Sequence, residues 1–148
     1  MESTLDKASR DKLIARIHLL TENSHAQWGK MNVSQMIKHC ILWEEMVFGE
    51  KTYDRVFIGR IFGKMALNNI LKDEKPLRRN TPTIPPFVVK ETSGAITNQQ
   101  LKWAARIAQY EDFTNDHFIH PFFGNMTKAQ IGYMAYKHID HHLRQFGV

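Results

Sequence analysis

The pattern of apolar and polar positions predicts helices along most of the chain. Apolar residues recur at intervals of three and four in four main segments, at about 4–21, 33–48, 97–113 and from 128 to the end. Each of the last three main helices starts with a capping box, two side chains three positions apart that bond the first free backbone N–H groups. The pairs are Asn32 with Gln35, Thr97 with Gln100, and Thr127 with Gln130.

The connections between these helices indicate how they are arranged. The first and second main helices, and the third and fourth, are joined by short segments, whereas a long segment joins the second and third. That long segment contains an additional helix, at about 54–71. The pattern is typical of bundles with a crossover connection. We therefore expect an all-α protein, a four-helix bundle folded as a single domain over residues 1–148.

Two histidines lie in the centre of the apolar face of the last helix. With Ile131 at zero and 100° per residue, His138 falls at about 340° and His142 at about 20°. Imidazoles one turn apart can reach one metal ion. A lone histidine on an apolar face is more often a hydrogen-bonded core residue, and two of them need two buried partners. From the pair alone both interpretations stay open.

A third histidine could complete a metal site. His39 lies on the buried half of the second main helix, which can face the last helix in a bundle. Three protein ligands with one open position is the arrangement of a catalytic rather than a structural metal ion. Neutral imidazole suits zinc, nickel, copper and iron, and the sequence does not choose among them.

Three further residues are candidates for a role near such a site. Glu44 falls off the polar arc of its helix, so its carboxylate either extends past its neighbours to solvent or serves as a partner to a histidine. His141 lies on the flank of the last helix, at about 280°. His120 precedes Pro121 and is held extended, which favours a structural hydrogen bond over metal ligation.

The long segment contains two features with alternative interpretations. Its helix carries an apolar strip, which either packs on the bundle or forms a dimer contact. The strip consists of Phe57, Ile58, Ile61, Phe62 and Met65. After it, the proline-rich stretch 75–89 predicts an extended loop, which could cover a site or merely cross the bundle.

Composition and charge exclude some classes of protein. The net charge is +5, but basic residues are interspersed with acidic ones, which predicts a solvated surface and argues against a nucleic-acid partner. The single cysteine, Cys40, excludes an internal disulfide framework and suits a reducing compartment. The first residues lack the apolar run of a secretory signal, and charges interrupt the apolar strip. We therefore expect a cytoplasmic protein without a membrane span.

The last helix also carries a resemblance. The spacing HxxHH followed by glutamine, here His138, His141, His142 and Gln145, with a histidine on an early helix, resembles the DinB/YfiT-like family of metal-binding four-helix bundles. The stretches WGKMNVSQMIKHC and HPFFG…YKHIDHHLRQFG are similar to a branch of mostly unknown function. The resemblance covers most of the chain and is weakest from 49 to 91. The family often reads HHRGQ where this chain reads HHLRQ, so the glutamine keeps its place and the arginine does not.

The resemblance implies an up-down-down-up bundle, a divalent metal ion, and often a homodimer. Carried over by position, the metal ligands are His39, His138 and His142, with zinc, nickel or iron as the ion. Glu44, His141, Gln145 and His120 remain candidates for the surroundings.

The resemblance further implies an enzyme that acts on small molecules, either an S-transferase using a low-molecular-weight thiol or a metal-dependent hydrolase. In the transferase the ion would hold the thiol sulfur as thiolate. The alternative is a non-catalytic metal-stabilised bundle that acts as a stress-related binding or scaffold protein. The sequence assigns no catalytic residue and no pocket for a thiol cofactor.

Overall fold

The computed structural model describes residues 1–115 and 117–148, and this part of the chain is mostly helical. It forms five α-helices: α1 (Lys7–Ile17), α2 (Val33–Val47), α3 (Phe57–Ile70), α4 (Ile96–Ala108) and α5 (Lys128–Gln145). Short 3-10 turns cover Pro85–Phe87 and Gln109–Asp112. The predicted all-α class agrees with this content.

The structure also contains a small antiparallel hairpin that the sequence did not predict. Strand β1 (Ile119–His120) pairs with β2 (Gly124–Asn125) immediately before α5. Two residues per strand are too few to show an alternating pattern, so only the Pro and Gly of the turn marked this segment.

The core lies between four of the helices. Both α1 and α2 pack against α4 and against α5. Leu13, Ile37, Trp103 and Ile139 are among the side chains that are fully removed from solvent there. Complete burial of such a side chain contributes about 1.5–3 kcal/mol.

Two of the three predicted capping boxes are confirmed. Asn32 accepts a hydrogen bond from the backbone N–H of Gln35 at 2.8 Å, and the Gln35 side chain accepts one from the backbone of Asn32. Thr127 and Gln130 make the same reciprocal pair. These boxes fix the starts of α2 and α5, the two helices that carry the candidate metal ligands.

The third predicted capping box, Thr97 with Gln100, is wrong. Helix α4 follows Ala95 without a side-chain cap. Gln100 is buried and its Nε2 donates to the carbonyl oxygens of Ile17 at 2.7 Å and Leu20 at 2.8 Å. Carbonyls at and beyond the end of a helix lack intrahelical donors, so a buried glutamine amide has a stronger use there than at an exposed helix start.

Helix α3 contacts the hairpin through two glycines. A Cβ atom at Gly59 or Gly63 would overlap the backbone carbonyl of Phe122, so only glycine permits this close approach. The opposite face carries the apolar strip, whose five side chains are between 48% and 78% exposed. The interpretation in which this strip packs on the bundle is therefore wrong.

None of the helices within the described residues combines the length and the apolar character that a membrane crossing needs.

Candidate metal centre

Three buried histidines from two distant segments converge inside the protein. His39 comes from α2, and His138 and His142 come from successive turns of α5. One ring nitrogen from each lies within 4.8 Å of the other two, close enough to bind one metal ion. The Nε2 atoms of His39 and His138 are 3.2 Å apart. The predicted convergence of these three residues is confirmed.

The spacing and burial suit coordination. Two imidazole nitrogens bound to one tetrahedral zinc ion at about 2.0–2.1 Å lie about 3.3 Å from each other. The 3.2 Å separation of His39 and His138 matches that value. The three side chains are only 6%, 9% and 7% exposed, in chain order. The rings are thus held where water cannot readily satisfy their nitrogens.

A backbone carbonyl orients the ring of His39. Its Nδ1 lies 3.0 Å from the carbonyl oxygen of Phe87, in the 3-10 turn of the proline-rich loop. A carbonyl can only accept, so Nδ1 carries the proton and Nε2 of the neutral ring presents a lone pair to the other histidines. A hydrogen bond at the outer nitrogen is the usual way in which a metal-binding imidazole is oriented.

A glutamine does the same for His142. The Oε1 atom of Gln145 lies 2.9 Å from His142 Nδ1, and its Nε2 donates to the carbonyl oxygen of Trp28 at 2.8 Å. Because Trp28 takes the amide N–H, the oxygen must face His142 and accept its proton. Gly29, at φ +83°, makes this possible, since a Cβ there would meet the Gln145 amide at 2.6 Å. The ring of His142 therefore also presents Nε2.

The ring of His138 shows that hydrogen bonds alone do not satisfy the cluster. It stacks on Trp43 with ring centroids 4.9 Å apart, and among the described residues its Nδ1 has no partner. If its proton is on Nε2, it can donate to His39, but its own Nδ1 and the Nε2 of His142 are left bare. If the proton is on Nδ1, the lone pairs of His39 and His138 face each other. A cation would remove this conflict.

Burial and the neighbouring rings keep all three imidazoles neutral. Burial lowers the pKa of His39, and it lowers the pKa of His142 to about 3, with a further contribution from the nearby His39. Burial and the neighbouring His142 and His39 bring the pKa of His138 well below its ordinary value. The three imidazoles are neutral at pH 7, and neutral imidazole is the form that binds a metal ion.

Comparison with known families places the chain in one of them. The model of a family described as a protein of unknown function, DUF1569, matches residues 1–147. The chain belongs to the DUF1569 family. No curated protein and no solved structure matches it. The description of the family names no activity, so the function of this DUF1569 member has to be argued from its own residues.

Glu44 has neither of the roles predicted for it. Its side chain is completely buried, so it does not extend to solvent, and its carboxylate accepts a 2.5 Å hydrogen bond from the Tyr110 hydroxyl rather than contacting a histidine. Its second oxygen has no partner among the described residues. Burial raises the pKa of the Glu44 carboxyl to about 8, against the opposing effects of Tyr110 and Arg106. Glu44 is a protonated core residue at pH 7.

The remaining candidates lie in different places. His120 accepts hydrogen bonds at Nδ1 from the backbone N–H groups of Phe122 and Phe123, at 3.0 and 3.2 Å, and does not join the cluster. His141 lies beside the centre, with its ring 5.1 Å from that of His142. It packs edge-on against Trp28 and lines a surface cavity of about 380 Å³.

Two residues that orient the ligands were missed in the sequence. Phe87 acts through its backbone carbonyl, which no side-chain pattern encodes. Trp28 also acts through its carbonyl, and it lies in a connection without periodicity. Gly29, directly after Trp28, was the one available signal, because glycine is the residue that permits a close approach of another group to the backbone.

Proposed function

We propose that this protein binds one divalent metal ion through His39, His138 and His142, and that the ion serves an enzymatic reaction on a small molecule. The observation that carries the proposal is the convergence of three buried, neutral imidazoles within 4.8 Å. Three histidine ligands leave one position of a four-coordinate ion free for another molecule.

The protein residues would contribute orientation and exclusion of water. Phe87 and Gln145 fix the rings of His39 and His142, and Trp43 covers His138. When bound, the ion would supply Lewis-acid chemistry, polarising a small molecule or stabilising a thiolate. We propose zinc, nickel or iron as the ion, and either a thiol-dependent S-transferase or a metal-dependent hydrolase as the activity.

The relation to the DinB/YfiT-like proteins is part of the same proposal. The three-histidine convergence and the packing of α1 and α2 on α4 and α5 support it. On this proposal the four helices form an up-down-down-up bundle, and α3 is the additional helix of the crossover.

Metal content tests the binding step. Protein purified without an affinity tag should contain about one divalent ion per chain, and dialysis against a chelator followed by titration should restore it. His142→Gln should lose the ion, whereas His25→Gln, which changes an exposed histidine away from the cluster, should retain it. Equal metal content in both variants would contradict the proposed ligand set.

Turnover tests the catalytic step. The metal-loaded protein is assayed for transfer of a low-molecular-weight thiol to a model electrophile and for hydrolysis of small ester and amide substrates. Activity should require the ion and should be lost in His142→Gln but not in His25→Gln. Stoichiometric metal without any metal-dependent turnover across these assays would count against an enzyme.

A non-catalytic metal-stabilised protein is the second candidate. The burial of the three histidines favours it, since all three are less than a tenth exposed and none of them lines the surface cavities of about 470 and 380 Å³. This candidate predicts that chelation lowers the midpoint of thermal unfolding strongly while saturating metal supports no reaction. A scaffold or binding role would follow from that result.

We also propose that the protein forms a homodimer through the apolar strip of α3. Its five exposed side chains present on the order of 500 Å² of apolar surface, at the upper end of what monomers expose. That area would form the centre of an interface of about 800 Å² per partner. Helix α3 contains no acidic residue, so no carboxylate of this helix interrupts the strip.

A further inference from the structure

A surface cavity lies directly beside the three-histidine centre. It has a volume of about 380 Å³, and Trp28, Arg79, His141 and Arg144 are among the residues that line it. His141 precedes the ligand His142 in the chain, and the two rings are 5.1 Å apart. The Trp28 carbonyl accepts a hydrogen bond from Gln145, which in turn orients His142. The wall of the cavity and the outer contacts of the centre therefore share residues.

The cavity contains one arginine that has no carboxylate partner among the described residues. The Arg79 guanidinium lies 4.1 Å over the ring of Trp28, and within residues 1–115 and 117–148 it has no carboxylate partner within 4 Å. Arg144 bonds Asp140 through Nε alone, at 2.7 Å, and Asp140 is shared with Arg16. No aspartate or glutamate side chain of the described residues lines the cavity.

The indole of Trp28 holds the Arg79 guanidinium in a fixed position. Stacking on an aromatic face holds a planar guanidinium in place while its N–H groups remain free at the edge. The N–H groups of arginine match the two oxygens of a carboxylate or phosphate. Arg79 comes from the loop after α3 and Arg144 from the end of α5, so the two cations approach the cavity from separate segments.

We propose that this cavity binds the oxyanion group, a carboxylate or phosphate, of a small molecule beside the metal centre. The identification of this small molecule as the substrate of the centre rests on the proposed function. The binding of an oxyanion in the cavity does not depend on it. The charge of the metal centre also favours an anionic molecule. Its three ligands are neutral and include no carboxylate, so a bound divalent ion would leave a double positive charge that favours an anionic molecule.

Isothermal titration calorimetry with inorganic phosphate and with acetate tests the proposal. The protein is titrated both metal-loaded and metal-free, after the chelator used to remove the metal has been dialysed away, which separates the cavity from direct binding to the ion. We expect saturable binding of at least one probe in both forms, and the tighter probe identifies the oxyanion class. Arg79→Gln should weaken binding about tenfold or more, since it removes a charge-assisted hydrogen bond. Its metal content should not change.

A neighbouring arginine provides the matched control. Arg78→Gln removes the same charge from an exposed residue that does not line the cavity, and it should leave the affinity for the probe unchanged. Equal weakening by both variants would show diffuse attraction to a positively charged protein and would overturn the proposal. So would the absence of saturable binding to the metal-free wild-type protein from which the chelator has been removed. Probe binding by a protein that takes up no metal would instead overturn the proposed function and leave the oxyanion site standing.

Discussion

The buried carboxyl of Glu44 makes a quantitative prediction about stability. Replacing it with glutamine, Glu44→Gln, keeps an oxygen that can accept the Tyr110 hydroxyl but removes the group that ionises. Burial raises the pKa of Glu44 from 4.5 to about 8 in the folded protein. As the pH rises from 4.5 to 8, the unfolded chain releases a proton that the folded chain retains. The free energy of unfolding must therefore fall across this interval.

The size of the effect follows from the pKa difference. Each unit of pKa difference corresponds to about 1.4 kcal/mol. Ionisation of Glu44 therefore lowers the free energy of unfolding by about 5 kcal/mol in total, and the full decrease is reached above pH 8. Between pH 5.5 and 8.5 the wild type should lose about 3 kcal/mol relative to Glu44→Gln. The histidines of the centre have lowered pKa values, and their contribution is lost in the opposite direction, as the pH falls below 6.5. This histidine contribution is the same in the wild type and in Glu44→Gln, so it cancels when the two free energies of unfolding are subtracted.

Urea unfolding with chelator present, followed by tryptophan fluorescence at several pH values, measures this difference. Trp103 is fully buried and reports loss of the core. Glu111→Gln makes the same substitution at an exposed carboxylate and is measured alongside as the control for a glutamate-to-glutamine change outside the core. If the difference between Glu44→Gln and the wild type is the same at pH 5.5 and 8.5, Glu44 does not retain its proton in the folded protein and the reasoning is refuted.

Three other substitutions test separate parts of the structure. Gln145→Leu removes the acceptor that orients His142, so the metal dissociation constant measured by calorimetry should rise about 10- to 100-fold while circular dichroism stays unchanged; an unchanged constant would contradict the role of Gln145. Gly63→Ala introduces a Cβ against the Phe122 carbonyl and should cost about 1–3 kcal/mol in urea unfolding, and an equally stable variant would show that α3 can move away. Ile61→Glu places a charge in the apolar strip and should convert dimers to monomers in light scattering, whereas a wild-type protein that is already monomeric would exclude the interface.

The ligands could be predicted from sequence because the information is local. The positions of His138 and His142 on one helical face follow from a spacing of four residues, and the burial of His39 follows from the apolar surface of α2. The capping boxes at Asn32 and Thr127 were equally local, and both formed. Helix and ligand positions were therefore accessible before any long-range contact was known.

The surroundings of the ligands depend on contacts that no local pattern contains. Phe87 is 48 residues from His39, and it acts through its main chain. The false capping box at Thr97 shows the same limit, because Gln100 is drawn to the end of α1 by carbonyls 80 and 83 residues away. Glu44 was misjudged because its partner, Tyr110, is 66 residues distant. Each error concerns a polar side chain whose partner only the fold supplies.

The depth of the three histidines is the feature that a catalytic role must accommodate. Phe87 is both part of the loop that covers His39 and the acceptor that orients its ring, so displacing the loop would open the centre and release a ligand together. A molecule that approached from that direction would weaken the binding of a metal ion at the centre. On the other side of the centre, the ring of His141 packs against Trp28 and is not itself one of the three clustered histidines. His141 lines the 380 Å³ cavity and its ring lies 5.1 Å from that of His142, so on this side a cavity lies next to a ligand while Phe87 and Gln145 hold His39 and His142 from elsewhere. On the proposed function, the cavity lined by Trp28, Arg79 and His141 is therefore the side from which we expect a substrate to approach a bound ion.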